Sequence, residues 1–357
     1  MLTTPSITAI DPSLPAAGGC ASIAALNLAE WQAYVESHPD STAFHHRNWI
    51  EAIRQQYGLQ AYIPCLKQGG EIQAAIPFLS GRSLLGAAKL TSLPFTDCLR
   101  ILSRRPEAAE ALAAELVRRH PPCKSMTVRT DTVLARTASI SHSVRHEVRL
   151  EPSFAALSKR FKPSAHRNLH KARRVGLQFA KRVDAAAMEA FYWLHLLTRR
   201  KLGVPVQPKG FFQRLQQNIV QAGLGYIGLV TKEGQPLAAG LFLAFNRTIT
   251  YKYAASHPNA LADRPNDWLV FNALRLAGEE GYGCFDFGIS GRRQAGLQRF
   301  KRNWGADEID VHTVQIVGRA KTPIEESALF KVAGGVIRHS PPVICRCTGE
   351  ILYRFAV

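Results

Sequence analysis

Leu224-Gly225-Tyr226-Ile227-Gly228-Leu229-Val230-Thr231, the run 236–245 and the run 248–255 stand almost end to end, parted by Glu233-Gly234 and by Asn246-Arg247. Strand-length apolar runs joined by turns of this composition read as an antiparallel meander. An amphipathic helix is expected over 266–280, then a short buried strand over 284–287 and a last strand over 311–317. A meander followed by a helix and a further strand cannot close as a simple hairpin stack, and it implies a mixed sheet with helices against it.

Upstream, the same half opens with helices over 153–160 and 164–175, separated by Pro163, with Gly176 as a stop signal. A strand is expected over 177–183. Helices over 185–201 and 209–222 follow, divided by a loop holding Gly203, Pro205 and Pro208. The first half reads as helices over 24–37 and 47–57, then a hairpin of 61–67 and 71–79 about Gln68-Gly69-Gly70. Residues 92–97 read as a strand end running into a loop. A helix over 106–120 starts on a proline, and strands are expected over 124–130 and 143–150. The expected organisation is a lead-in and helix (1–40), a first α/β half (41–150), a second half (151–320) and a C-terminal helical tail (321–357). The fold class is α/β, with a mixed α+β sheet.

A chain of 357 residues is too long for one ordinary core and comfortable for two. It is 46% hydrophobic and 20% charged, the make-up of a globular protein. No stretch reaches the roughly 18 consecutive apolar residues of a membrane span. The seven cysteines include no C-x-x-C pair, and residues 1–19 lack the pattern of a secretory signal. The expected location is the cytoplasm. The tail is expected to pack on the second half, with the inner-membrane surface as its alternative seat.

Charge is the unusual quantity. Forty-five Lys and Arg against 27 Asp and Glu leave +18, with a pI near 9.9. Such a field favours polyanionic partners. Residues 152–183 contain no acid and nine cations, among them Arg167, Lys171 and Arg174, which with His170 share one helical face. That face suits phosphate or nucleic acid, through bidentate arginine contacts; a solvated basic surface is the plainer alternative. His142 and His146, and His166 and His170, have chelating spacing, but one pair lies in a strand and the other among cations. No metal is expected.

Several segments together resemble the FemAB-like proteins of the GNAT superfamily. They are Phe191-Tyr192-Trp193-Leu194, Thr198-Arg199-Arg200-Lys201-Leu202-Gly203-Val204-Pro205, Phe211-Phe212, Tyr251-Lys252-Tyr253-Ala254-Ala255-Ser256, Phe285-Asp286-Phe287-Gly288 and 296–305, which includes Phe300-Lys301. His166-Arg167-Asn168-Leu169-His170-Lys171-Ala172 is similar to the basic helix opening that family's second half. Ser92-Leu93-Pro94-Phe95-Thr96-Asp97 is similar to a segment of exopolysaccharide-associated members.

The resemblance implies two tandem GNAT-like domains and transfer of an acyl group to an amine. The donor is acetyl-CoA or an aminoacyl-tRNA, and the acceptor an anionic or lipid-linked precursor of the cell envelope or an exopolysaccharide. It also implies that Lys301 stabilises the reacting carbonyl or a substrate phosphate, which is sound where negative charge develops. Transfer to an ammonium requires a proton acceptor. Asp97 and Asp286, at apparent strand ends, are the candidates, with His257 as a further one. Tyr253, His257, Phe300, Arg167 and Lys171 are the expected substrate contacts. One departure stands out: where many GNAT enzymes have a glycine-rich pyrophosphate loop, residues 257–265 hold no glycine and two prolines. A binding protein with a relict GNAT core, gripping RNA or anionic lipid, is the non-enzymatic alternative.

Overall fold

The computed structural model describes residues 22–82, 88–119, 123–132, 134, 137–151, 153–318, 334, 335 and 337–356. The first half comprises β1 (Ser22–Ala25), α1 (Leu28–Ser37), α2 (Arg47–Tyr57), β2 (Gln60–Tyr62), β3 (Pro64–Gln68), β4 (Glu71–Ala75), β5 (Phe78–Arg82), β6 (Ala88–Thr91), β7 (Leu102–Ser103), α3 (Pro106–Arg119), β8 (Ser125–Thr130) and β9 (Ala138–Arg149). The second half comprises α4 (Phe154–Ser158), α5 (Pro163–Arg174), β10 (Gln178–Arg182), α6 (Ala185–Leu202), α7 (Lys209–Leu215), β11 (Gly225–Lys232), β12 (Gln235–Phe245), β13 (Thr248–Ser256), α8 (Pro265–Glu279), β14 (Cys284–Gly291), α9 (Ala295–Arg302) and β15 (Asp307–Val317). The tail holds α10 (Pro342–Ala356).

Three expectations are corrected. The helix expected over 24–37 begins later, because Asn27 accepts from the N–H groups of Ala29 and Glu30 while Glu30 accepts from the Asn27 N–H, a reciprocal capping box. Ala24 and Ala25, freed from the helix, pair with Cys65 and Pro64 as part of β1. The single hairpin expected over 61–79 is two. β3 and β4 pair within a four-stranded sheet, whereas β2 and β5 pair at the edge of an eleven-stranded one. Pro64 opens β3 and Pro77 separates β4 from β5. A proline cannot donate to a ladder, so the chain changes sheets beside each. The helix expected over 209–222 is α7 followed by a π turn, Gln216–Val220.

The large sheet runs β10-β11-β12-β13-β14-β9-β15-β8-β6-β5-β2 and is continuous across residue 150. β9, from the first half, lies between β14 and β15 of the second, antiparallel to both. The packing crosses the halves as well. Trp49 of α2 meets Phe211 of α7 edge to face with centroids 6.3 Å apart, and Asn246 in the β12–β13 turn donates to the Pro39 carbonyl at 3.0 Å. One apolar cluster, with Trp31, Trp49, Phe191 and Phe212, covers one face of the second half's strands and fills the first half. The other, with Phe242, Phe285 and Trp304, packs α5 and α8 on the opposite face.

This interlocking predicts one cooperative unit. Residues 151–318 expressed alone leave β14 and β15 without β9, and β15 without β8. By far-ultraviolet circular dichroism and thermal melting they are expected to lack the cooperative transition of the full chain.

Candidate active site at a fork in the sheet

β13 and β14 run parallel and pair at Thr248–Cys284, Ile249–Phe285 and Thr250–Asp286, and the pairing ends there. Two residues on, Lys252 has no partner on β12: Tyr251 faces Phe242 and Tyr253 faces Leu241, so Lys252 is the extra residue of a bulge. A bulge bends its strand and raises the local twist. β14 turns the other way. Its register with β9 breaks after Asp286 and resumes at Ile289–Arg145, and Gly288 between them has φ +67°. The two strands thus open into a fork, where backbone groups that would pair across a continuous sheet are left for something else.

Asp97 wedges the fork from the first half. Its loop bends through left-handed Leu93 and Phe95, and it is pinned by Trp49 Nε1 donating to Thr96 Oγ1 at 2.9 Å and by the Leu99 N–H bonding the Arg129 carbonyl at 2.7 Å. Asp97 Oδ1 accepts from Lys252 Nζ at 2.7 Å, and the two side chains are only 14% and 5% exposed. The Lys252 ammonium also lies 4.9 Å from the centre of the Tyr253 ring and 5.4 Å from that of Phe44, within cation–π range. On the other tine, a Cβ added to Gly288 would stand 2.6 Å from Asp97 Oδ2. Glycine is therefore required at 288 by conformation and by space together.

Asp286 ends the paired part of β14. Its Oδ1 accepts from the Gly288 N–H at 2.7 Å and its Oδ2 from Arg145 at 3.4 Å. Burial pushes its carboxyl above the ordinary range, against the pull of Arg145 and of the Gly288 N–H. Arg145, on β9, bonds Asp131 at 3.0 Å and Glu147 at 2.9 Å, and Asp131 is gripped by both arms of Arg100 at 2.7 Å. A row of alternating charges, buried as far as Asp131, leads from the fork into the first half.

Lys301 comes from α9. Its Nζ donates to the carbonyls of Gly288, at 2.9 Å, and Ile289, at 3.0 Å. An ammonium has three donors, so one N–H remains uncommitted among the described residues. Burial lowers its pKa to about 8, with Asp97 and Asp286 opposing the fall. Beside α9 an open groove of about 400 Å³ is lined by Val144, Arg292, Gln298, Glu308 and Asp310. On its wall His142 Nε2 lies 2.7 Å from Asp310, and the buried His146 lies 3.1 Å from Glu308.

The structure brings together four of the residues singled out from the sequence: Lys301, Asp97, Asp286 and Tyr253. The Tyr253 hydroxyl is buried without a hydrogen-bond partner among the described residues. The other candidates sit elsewhere. His257 caps the Pro258–Asp263 turn by accepting from the Asn259 N–H and stacks on Trp193 at 5.6 Å. Phe300 packs edge-on to Trp304 with the second cluster. Arg167 and Lys171 lie on α5, whose buried side, Ala165, Leu169 and Ala172, is packed and whose Asn168 donates to Asp267 on α8 at 3.0 Å. Sequence reasoning missed Lys252, Gly288 and Arg145. A lysine inside an otherwise apolar strand was a legible signal for the first; Arg145 carried none.

Residues 159–302 match the family described as acetyltransferase (GNAT) domain. No curated protein sequence matches the chain. Among solved structures, the chain is similar to FemX at 14% identity and TM-score 0.64, over 82% of this chain and 96% of that one. It is also similar to the C-terminal domain of a putative lysylphosphatidylglycerol synthetase from Agrobacterium fabrum, at 13% identity and TM-score 0.54 over 87% and 96%. Residues 159–302 are a GNAT-superfamily acyltransferase domain. The chain as a whole has a FemX-like mixed α/β fold.

The close approach at the fork gives a direct test. Gly288→Ala is expected to lower stability by about 1–3 kcal/mol in urea denaturation. Asp97→Ala by itself also strips Lys252 of its counter-ion, so the collision is read from the double-mutant cycle: the coupling between the two changes reports the contact, and the cost of Gly288→Ala that persists in the Asp97→Ala chain reports the left-handed backbone.

Proposed function

We propose that the chain is an N-acyltransferase that moves an acetyl or other acyl group onto an amino group of a cell-envelope or exopolysaccharide precursor, with the reacting carbonyl held in the fork between β13 and β14. The observation that carries this reading is Lys301: a cation 5% exposed, anchored on two carbonyls of the kinked strand, with one N–H to give. In the reaction the amine nitrogen forms a bond to the acyl carbon, and the ester or thioester bond breaks. Negative charge gathers on the acyl oxygen on the way, and a fixed ammonium stabilises it without having to reorganise.

The attacking nitrogen must also shed a proton. Both oxygens of Asp286 are committed, one to the Gly288 N–H and one to Arg145, which supports a positioning role. Asp97 has one oxygen on Lys252 and the other without a hydrogen bond among the described residues, so Asp97 is the better proton acceptor. The hydroxyls of Tyr253 and Tyr57, without a hydrogen bond among the described residues, are the kind of buried polar group that a bound acceptor satisfies.

A second reading, transfer from an aminoacyl-tRNA, is favoured by the N-terminus of α8. Pro258 and Pro265 offer no N–H there, and the buried carboxylate of Asp267 already occupies the first turn of the helix. An anion bound at that end would meet a carboxylate rather than free donors. α5, packed beside α8, carries Arg167, Lys171, Arg173 and Arg174 with no hydrogen bond or ion pair to any described residue. Equilibrium binding of acetyl-CoA and of charged and uncharged tRNA at physiological salt separates the donors. Saturable acetyl-CoA binding supports the first reading, and preference for charged tRNA the second; binding of neither counts against both.

Lys301→Ala is expected to cost about a hundredfold or more in turnover while keeping the native circular dichroism and a cooperative melt, whose midpoint falls because the Gly288 and Ile289 carbonyls lose their donor. A binding protein with a relict core would tolerate the change. The pH dependence has a definite sign. The folded pKa lies below the unfolded one, so the ammonium is the disfavoured form in the folded chain, and the group's contribution to stability rises as pH climbs from about 8. Activity that needs the ammonium should therefore fall through about pH 8. Lys301→Arg, if active, should move that limb to higher pH.

A further inference from the structure

α10 departs from an ordinary surface helix on its outward side. Cys345, Gly349 and Tyr353, four residues apart, turn inward. Cys345 is fully buried, with Sγ 3.5 Å from the Val204 carbonyl; a Cβ on Gly349 would collide with the Val206 carbonyl; and the Tyr353 hydroxyl bonds Arg199 at 3.0 Å. Glu350, the one acid between 338 and 352, accepts from the Lys209 N–H at 3.2 Å. The helix is thus docked on α6 and the 203–206 loop. A docked surface helix normally shows water its polar side. Here the outward positions are Val343, Ile344, Cys347, Ile351 and Leu352, all exposed, Val343 by 51% and Ile351 by 61%. They form rows at four-residue spacing along one side.

The rim of this stripe is basic. Arg346 on the helix and Arg338 just before it are exposed, and Arg338 donates to the carbonyl of Leu202, itself 56% exposed at the end of α6 next to the exposed Lys201. Neither Lys201 nor Arg346 pairs with an acid among the described residues. At 15 residues the helix is about 22 Å long, short of the roughly 30 Å needed to span a bilayer, and no helix among the described residues is long and apolar enough to cross one. An apolar stripe edged with unpaired cations matches a surface whose acyl layer lies beneath a plane of negative head groups. A second copy of the chain fits less well, because a two-fold contact would set the same basic rim against itself.

We propose that the outward face of α10 is a docking surface for an anionic lipid bilayer, on which the helix lies flat. The test uses the full-length protein, kept reduced, in flotation with vesicles of phosphatidylcholine alone and of phosphatidylcholine mixed with phosphatidylglycerol. The wild type should float with the phosphatidylglycerol vesicles and do so less as salt rises. Ile351→Asp with Leu352→Asp, both at exposed positions, should keep the circular dichroism spectrum and melting temperature yet lower partitioning by about tenfold or more. Arg346→Glu should weaken binding to the anionic vesicles. Leu352→Trp should show a blue-shifted emission on vesicles, quenched by brominated acyl chains. Three outcomes would overturn the proposal: no flotation of the wild type, flotation unchanged in the double variant, or concentration-dependent self-association that the double variant abolishes while vesicles go unbound. The second of these would transfer the role to another basic surface.

Discussion

The parting of β13 from β14 is the constraint on which the rest of the molecule depends. A sheet does not open in its middle without cost, because each unpaired backbone group buried there forfeits a hydrogen bond. Three devices hold the opening: the bulge at Lys252, the left-handed Gly288, and the Asp97 carboxylate lodged between them. Lys301 then takes up the carbonyls of Gly288 and Ile289, and Asp286 takes up the Gly288 N–H. Side chains thus replace on β14 the partners that β13 would have supplied.

That replacement brings charge into the interior, and the charges explain why the two halves cannot be separated. Lone buried ions are strongly disfavoured, whereas paired and hydrogen-bonded ones are tolerated. Lys252, on β13, is balanced by Asp97 from the first half; Asp286, on β14, is balanced by Arg145 from the first half; Arg145 is in turn held by Asp131, itself forked by Arg100. Removing the first half would leave Lys252 and Asp286 without their counter-ions. β9, which carries Arg145, is the strand inserted between β14 and β15, so backbone pairing and charge pairing enforce the same junction.

The same economy shapes the chemistry proposed at the fork. Donors fixed by the fold act on a developing charge at once, because nothing has to move. Lys301 is held by two carbonyls and Asp97 by Lys252, so each enters with its position already set. Away from the fork, the second half's cations stay on the outside: α5 presents Arg167, Arg173 and Arg174 to solvent, while its apolar side rests on the cluster shared with α8.

Much of this architecture was readable in the sequence, and the limits have identifiable causes. The strands 224–231, 236–245 and 248–255 appear in the structure within a residue or so of their expected bounds, as does α2, because apolar spacing and turn residues act locally. The expectation failed where a local signal was overruled. Ala24 and Ala25 favour a helix, but Asn27 and Glu30 start it later and β3 offers a partner. Lys301 and Asp97 were legible as candidates; Asp97's contact with Gly288, and the charged row through Arg145 and Asp131, were not, since these residues are brought together by sheet order alone. The sequence by itself determined the mixed α/β class, the meander and the basic helix, because each rests on periodicity or composition within a few turns of chain; the candidate lysine came from the likeness of its segment to FemAB-like proteins. The tertiary structure alone decided that β9 crosses into the second half, which of Asp97 and Asp286 keeps an oxygen without a hydrogen bond among the described residues, and that α10 turns apolar residues outward. These depend on contacts between residues tens to hundreds of positions apart, and no local pattern encodes them.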